Sequence, residues 1–160
     1  MKLIKNKGGY HRATVENDKD KIYIFTDNTN RTSGSLPISD DSAYSKRFGK
    51  KGLRYPTMTS AVLRGLDNAF PITTQRYYKK GSSRAECNWV DEDLDEFKKV
   101  IDEDVDVIKK ACVERGINTI IFPSGGLLNS SIANINFKRT PSLYKYIIEK
   151  EIELRDLKIK

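Results

Sequence analysis

Leu94, Phe97, Ile101, Val105, Ile108 and Cys112 recur at steps of three or four residues. That period puts all six on one face of an α-helix from about Asp91 to Arg115. Its opening, DEDLDE, sets acids at the positive end of the helix dipole. Gly116 supplies the residue that most cheaply ends a helix in a left-handed conformation. NTIIF follows at once and reads as a strand.

The rest of the chain fits the same alternation. Residues 1–20 are polar and form a terminal arm or one short strand. KIYIF, Lys21 to Phe25, reads as a buried strand. In DDSAYSKRFG, Asp40 or Asp41 is placed to cap a short helix that Gly49 ends. Thr57 or Thr59 is placed to cap another, through Leu63, with Gly65 at its end. AFPITT reads as a strand in which Pro71 marks an edge or a start. Trp89 reads as a core residue or the hydrophobic staple of the long helix. Thr140 and Pro141 give a cap and a first-turn proline for a last helix that packs Leu143, Tyr146, Ile147 and Leu154. The order strand, helix, strand, long helix, strand, helix predicts an α/β fold. We expect a three-layer sandwich with a mixed or mostly parallel sheet, as one domain over residues 21–160.

Composition narrows the function classes. Of 160 residues 38% are hydrophobic, enough for a packed core, and no apolar run reaches membrane-spanning length. The opening MKLIKNKGGYHR lacks the features of a signal peptide, so a cytoplasmic location is expected. The two cysteines, Cys87 and Cys112, form no CxxC, and His11 is the only histidine. No metal and no cofactor are expected, and two-histidine phosphodiesterase chemistry is ruled out by count. His11 lies in a polar stretch and reads as solvated rather than as the base of a triad. The acids of WVDEDLDEF read as a dipole-matched helix start rather than a metal site. The net charge is +7, from 29 basic and 22 acidic residues. The basic residues are scattered, which favours a small anionic ligand and leaves nucleic acid as the lesser alternative.

Three strand-end loops carry unusual chemistry for an open α/β sheet. In TDNTNRTSG, Asp27, Asn28, Asn30, Arg31, Thr32 and Ser33 offer donors and acceptors, and Gly34 permits close backbone approach. Arg31 suits a phosphate and Asp27 a ribose hydroxyl or a base amino group; the competing reading is an Asx-rich turn. In FPSGGLLNSSIANI, Gly125 and Gly126 free backbone amides for an anion, and Ser124, Asn129, Ser130 and Ser131 add polar side chains. This is neither a Walker loop nor a GxGxxG fingerprint, and an ordinary strand-to-helix loop is the alternative. In TQRYYKK, Arg76 suits a phosphate and the tyrosines suit a base.

The set IYIFTDNTNRTSG, GLDNAFPITT, an acidic helix, IIFPSGGLLNSSIANI and TPSLYKYI resembles a family of phage and bacterial proteins. Their order is similar to that of phage proteins beginning IFVFGSN, and through them to macrodomains and LOG/DprA-type Rossmann-like domains. The resemblance spans about residues 21–150. It implies a macrodomain-like or Rossmann-like fold, with Asn28 and Asn30 beside a ribose and Gly125, Gly126 and Leu127 opening a phosphate-facing loop. The first loop lacks the three-glycine run of a macrodomain, and GGLLNSS stands where GxGxA is typical, so binding is implied more than catalysis.

The expected function is therefore a phage-type protein that binds a phosphorylated nucleoside: ADP-ribose, an NAD-derived molecule or a cyclic nucleotide. It would act in the host cytoplasm by sequestering a defence signal. One alternative is a hydrolase of an ADP-ribosyl or N-glycosidic bond, with water oriented by Asp27 or Asn28. The other is a basic-surface inhibitor of a host protein or nucleic acid. A homo-oligomer is compatible with each.

Overall fold

A computed structural model describes residues 1–31, 34–76, 88–128 and 135–159. Six strands and four α-helices follow in the order β1 (Lys2–Lys5), α1 (Arg12–Asn17), β2 (Ile22–Asn28), β3 (Leu36–Pro37), α2 (Ala43–Phe48), β4 (Arg54–Tyr55), β5 (Ala69–Gln75), α3 (Leu94–Arg115), β6 (Thr119–Phe122) and α4 (Pro141–Arg155). Short 3₁₀ turns occupy Ser60–Leu63 and Asp91–Asp93. β1, β6, β2 and β5 form one sheet in that order, and every pairing in it is parallel. β3 and β4 pair antiparallel as a separate ribbon.

Alternation along the strands divides the core in two. Ile22, Ile24, Ile72, Ile120 and Phe122 pack with Phe97, Ile101, Val105 and Ile108 of α3 and with Leu143, Ile147 and Leu154 of α4. The intervening Tyr23, Phe25, Ala69 and Ile121 pack with Val15, Tyr44, Ala61 and Leu63 on the opposite face. Successive side chains of a strand point to opposite faces, so a sheet covered on both sides needs apolar residues at nearly every position. β2 has that pattern, with Ile22 to Phe25 all buried. The protein is thus an α/β sandwich with a four-stranded parallel sheet flanked by helices, a Rossmann-like arrangement.

The predicted stripe is the buried face of α3, which Gly116 ends at φ 64°. Pro71 lies in β5, an edge strand, where a missing N–H costs no ladder bond. The neighbouring groups on that edge are occupied: Thr73 N donates to Asp104 Oδ2 at 2.9 Å, and Trp89 Nε1 donates to Thr73 O at 3.2 Å. Trp89 is therefore a core residue, 1% exposed.

Three caps differ from expectation. Thr59 precedes the 3₁₀ turn that opens at Ser60, but its side chain makes no cap bond. Helix α2 begins at Ala43, so the cap is Ser42, whose Oγ accepts from Ser45 N at 3.1 Å. Asp40 lies too early and instead accepts from Gly52 N at 2.9 Å. Thr140 does precede α4, but its hydroxyl is engaged with the backbone of Asn136. The free amides of Ser142 and Leu143 are met by Asp91 Oδ1, at 2.9 and 3.4 Å, from the start of the neighbouring helix. One of the acids expected to serve only its own helix thus caps another.

Cys112 is wholly buried in the α3 face of the core. Burial pushes its thiol up to about 11, against the smaller opposing pull of Arg115 and the N-terminal ammonium. The thiolate is the reactive form. Native protein at pH 8 should therefore leave Cys112 unmodified by iodoacetamide, while urea-unfolded protein is alkylated there; peptide mapping reads both.

Candidate functional site

All four strands of the main sheet run parallel, so the loops after β1, β6, β2 and β5 leave from one edge. Helices packed on opposite faces draw adjacent loops apart. The chain after β1 and β2 passes to the α1/α2 face, and the chain after β5 and β6 to the α3/α4 face. A crevice opens wherever neighbouring loops part this way.

The parting is sharpest between β6 and β2. Their ladder holds only Ile22 with Ile120 and Tyr23 with Ile121. Beyond it the strands separate and the exposed main-chain groups find side chains. The Tyr10 hydroxyl donates to Ile24 O at 2.7 Å, with Ile121 O at 3.3 Å. Thr26 N, which β6 no longer reaches, donates to Ser60 Oγ at 3.1 Å. Burial, and secondarily Tyr23, raises the Tyr10 phenol far above its usual range, so the hydroxyl remains a donor. Tyr10 acts as a wedge that satisfies both strands and holds them apart.

Above the wedge lies a cleft of about 190 Å³, lined by Gly8, Gly9, Tyr10, Thr57, Met58, Thr59, Ser60, Pro123 and Ser124. These come from the loop after β1, the segment before the 3₁₀ turn and the loop after β6. The lining offers hydroxyls and glycine backbone, and among the described residues it contains no ionisable side chain other than Tyr10. A Cβ built on Gly8 or Gly9 meets nothing within 4 Å. The arrangement can hold a polar ligand by neutral hydrogen bonds.

Of the sequence-predicted ligand residues that are described, only Ser124 lines this cleft. Gly125 and Gly126 follow it in a turn closed by Gly126 N donating to Pro123 O at 2.8 Å, which occupies that amide. Leu127 is buried in the α3/α4 core, 3% exposed. Thr32, Ser33, Asn129 and Ser130 lie outside the described residues, as does Ser131.

The TDNTNR segment forms a different object. Asp27 is buried at the end of β2, and its carboxylate is surrounded by donors. Oδ1 accepts from Arg64 Nε and Nη2 at 3.0 and 2.6 Å and from Asn28 N at 2.9 Å. Oδ2 accepts from Arg31 Nη1 at 3.1 Å and from the Tyr44 hydroxyl at 2.5 Å. Burial, then the Asp27 charge, raises the Tyr44 phenol, which therefore stays protonated. Arg31 also donates to Thr73 Oγ1 at 3.1 Å and stacks on Phe48 at 3.6 Å. Thr73 in turn meets Asp104, which is paired with Arg47 at 2.5 Å. Asn28 Oδ1 accepts from Asn30 N and Arg31 N, an Asx turn that sets Arg31 at φ 59°. The residues expected to read a ribose and a phosphate thus tie β2, β5, α2 and α3 together in a buried ionic knot. Gly34 lies against the backbone of Tyr55 and Pro56. Arg76 is held by Asp93 and Glu96 at 2.8 and 3.1 Å, near the Trp89 ring.

The cleft residues that sequence reasoning missed are Gly8, Gly9, Tyr10 and Thr57 to Ser60. The first three had a signal: a glycine pair between the short apolar KLIK and the helix-forming RATVEN. The second segment, TMTS, had none beyond its hydroxyls.

Among the described residues no group of three or more His, Cys, Asp or Glu side chains is placed to hold a metal ion, and no helix is long and apolar enough to cross a membrane. Comparison with curated proteins and with solved structures finds no match. A family profile does match, over residues 5–150, which takes in β6, β2 and β5 of the sheet, the last residue of β1, the cleft and the ionic knot. The chain belongs to the family of unknown function DUF7831.

Proposed function

We propose that this protein binds a phosphorylated nucleoside of the ADP-ribose, NAD-derived or cyclic-nucleotide class in the cleft over β1, β6 and β2. It holds the ligand rather than transforms it. The observation that carries the reading is the wedge: Tyr10 separates two parallel strands at their carboxyl ends, where open α/β sheets take their ligands. The lining supports it. Glycine backbone and hydroxyls donate to phosphate and sugar oxygens, and a net charge of +7 favours an anion. The likeness to macrodomains and LOG/DprA-type domains in the phage-type motif set points to the same ligands. Sequestration of a host nucleotide signal is the biological role that fits binding without turnover. The hydrolase alternative finds no support in the lining, and Asp27 and Asn28 are both engaged within the protein.

Isothermal titration against ADP-ribose, NAD and cyclic dinucleotides tests the reading. One of them should bind, and Gly9→Val should weaken it by about tenfold or more, the effect of overfilling a fitted site. Gly9 has no left-handed strain and open space at its Cβ, so the variant's melting temperature should be unchanged. No heat from any of the three, or full affinity in Gly9→Val, overturns it.

A further inference from the structure

Met58 is 92% exposed, the highest of the exposed large hydrophobic side chains, and it lies on the lining of the cleft. Its neighbours there are Tyr10, Pro123 and a majority of glycines, threonines and serines suited to polar parts of a ligand. Among the described residues this unbranched thioether is left almost wholly unpacked. The segment that carries it is nevertheless fixed. Ser60 is bonded to both Thr26 N and Thr26 Oγ1, and Thr59 O accepts from Val62 N. The backbone thus presents Met58 outward from an anchored position.

From this we infer that Met58 packs on the base of the ligand and makes the site selective for nucleosides over the corresponding sugar phosphates. The inference rests on the reading of the cleft given above. A methionine side chain is flexible and polarizable, and its sulfur makes favourable contacts with aromatic rings. A purine offers a flat π-surface that would cover the apolar area now in water. The phosphate and sugar then fall to the hydroxyls and the Gly8–Gly9 backbone of the same lining.

The chain has two methionines, Met1 and Met58, and Met1 packs against the α3/α4 core. Protein labelled with [¹³C-methyl]methionine therefore gives two methyl signals, assigned with Met58→Leu. Titration with ADP-ribose should move the Met58 methyl upfield through the ring current of adenine and leave Met1 still. Ribose 5-phosphate at saturation should move the Gly8 and Gly9 amides but not produce that upfield shift. Met58→Ala should weaken ADP-ribose by about tenfold, the loss expected for one apolar contact of this size, and leave ribose 5-phosphate within about twofold by the same scale. If ADP-ribose moves the Gly8 and Gly9 amides while the Met58 methyl stays in place, or if Met58→Ala weakens both ligands equally, this inference is overturned and the cleft reading stands. If ADP-ribose moves neither, the cleft reading falls for this ligand and takes the inference with it.

Discussion

Asp27→Ala is expected to lose about 3–5 kcal/mol of folding stability, the cost of removing one partner from a buried ion pair. Alanine leaves Arg31 and Arg64 facing each other inside the protein, 7% and 1% exposed, without the carboxylate both contact. It also strips the Tyr44 hydroxyl of its acceptor. Two buried guanidiniums that lose the carboxylate they share repel and are poorly solvated, so the loss exceeds that of a single hydrogen bond. Asp27→Asn keeps the shape and one of the two acceptor oxygens, but removes the charge and sets an amide NH2 against donors that met the other oxygen. It should be intermediate, and remains readable if the alanine variant fails to fold. Urea titration followed by circular dichroism measures both. A midpoint for Asp27→Ala within about 1 kcal/mol of wild type, no more than one ordinary hydrogen bond, would mean the knot is not what fixes the end of β2.

Gly34→Ala should cost about 2–5 kcal/mol, adding an overpacking term to a backbone term. A Cβ at Gly34 would stand 2.4 Å from Tyr55 C and 2.6 Å from Tyr55 O, with φ at 148°. Both clashing atoms are main chain and cannot turn aside. The same backbone carries the small ribbon, in which Ser35 N donates to Tyr55 O at 3.0 Å and Arg54 donates to Gly34 O and Ser35 O. Gly52→Ala is the matched control. Its φ is 70° but its Cβ would enter open space, so only the conformational cost of about 1 kcal/mol applies. Thermal melts should order the variants as wild type, Gly52→Ala, Gly34→Ala. The reverse order would show that the ribbon yields easily and that the close approach carries little energy.

Helix α3 was legible because a long helix on a sheet repeats its buried face every three or four residues. Six apolar positions from Leu94 to Cys112 leave no other register. Pro71, with its absent N–H, narrowed the choice to an edge or a strand start, and β5 is an edge strand. The buried knot was not legible. TDNTNR has the composition of a solvated turn, and what buries Arg31 comes from elsewhere: Thr73 is 42 residues away along the chain, and Phe48 sits on another element. Arg64, 37 residues from Asp27, gave no hint of its partner either. Local sequence reports which groups want a partner, not which distant strand brings one. The cleft was half legible. Ser124 stood out in a glycine-rich loop after an apolar strand. Gly8 and Gly9 follow β1, which is four residues long with a lysine at each end, and such a strand carries almost no periodic signal.

The outer side of β5 also limits how copies of this chain can meet. Pro71 has nothing to donate there, and Thr73 already spends its amide and carbonyl on Asp104 and Trp89. An incoming strand would find few main-chain groups to zip onto along that border. Edge-to-edge polymerisation of the sheet would have to start at the β1 border, and a chain with β1 trimmed away would expose β6 as fresh template for misassembly.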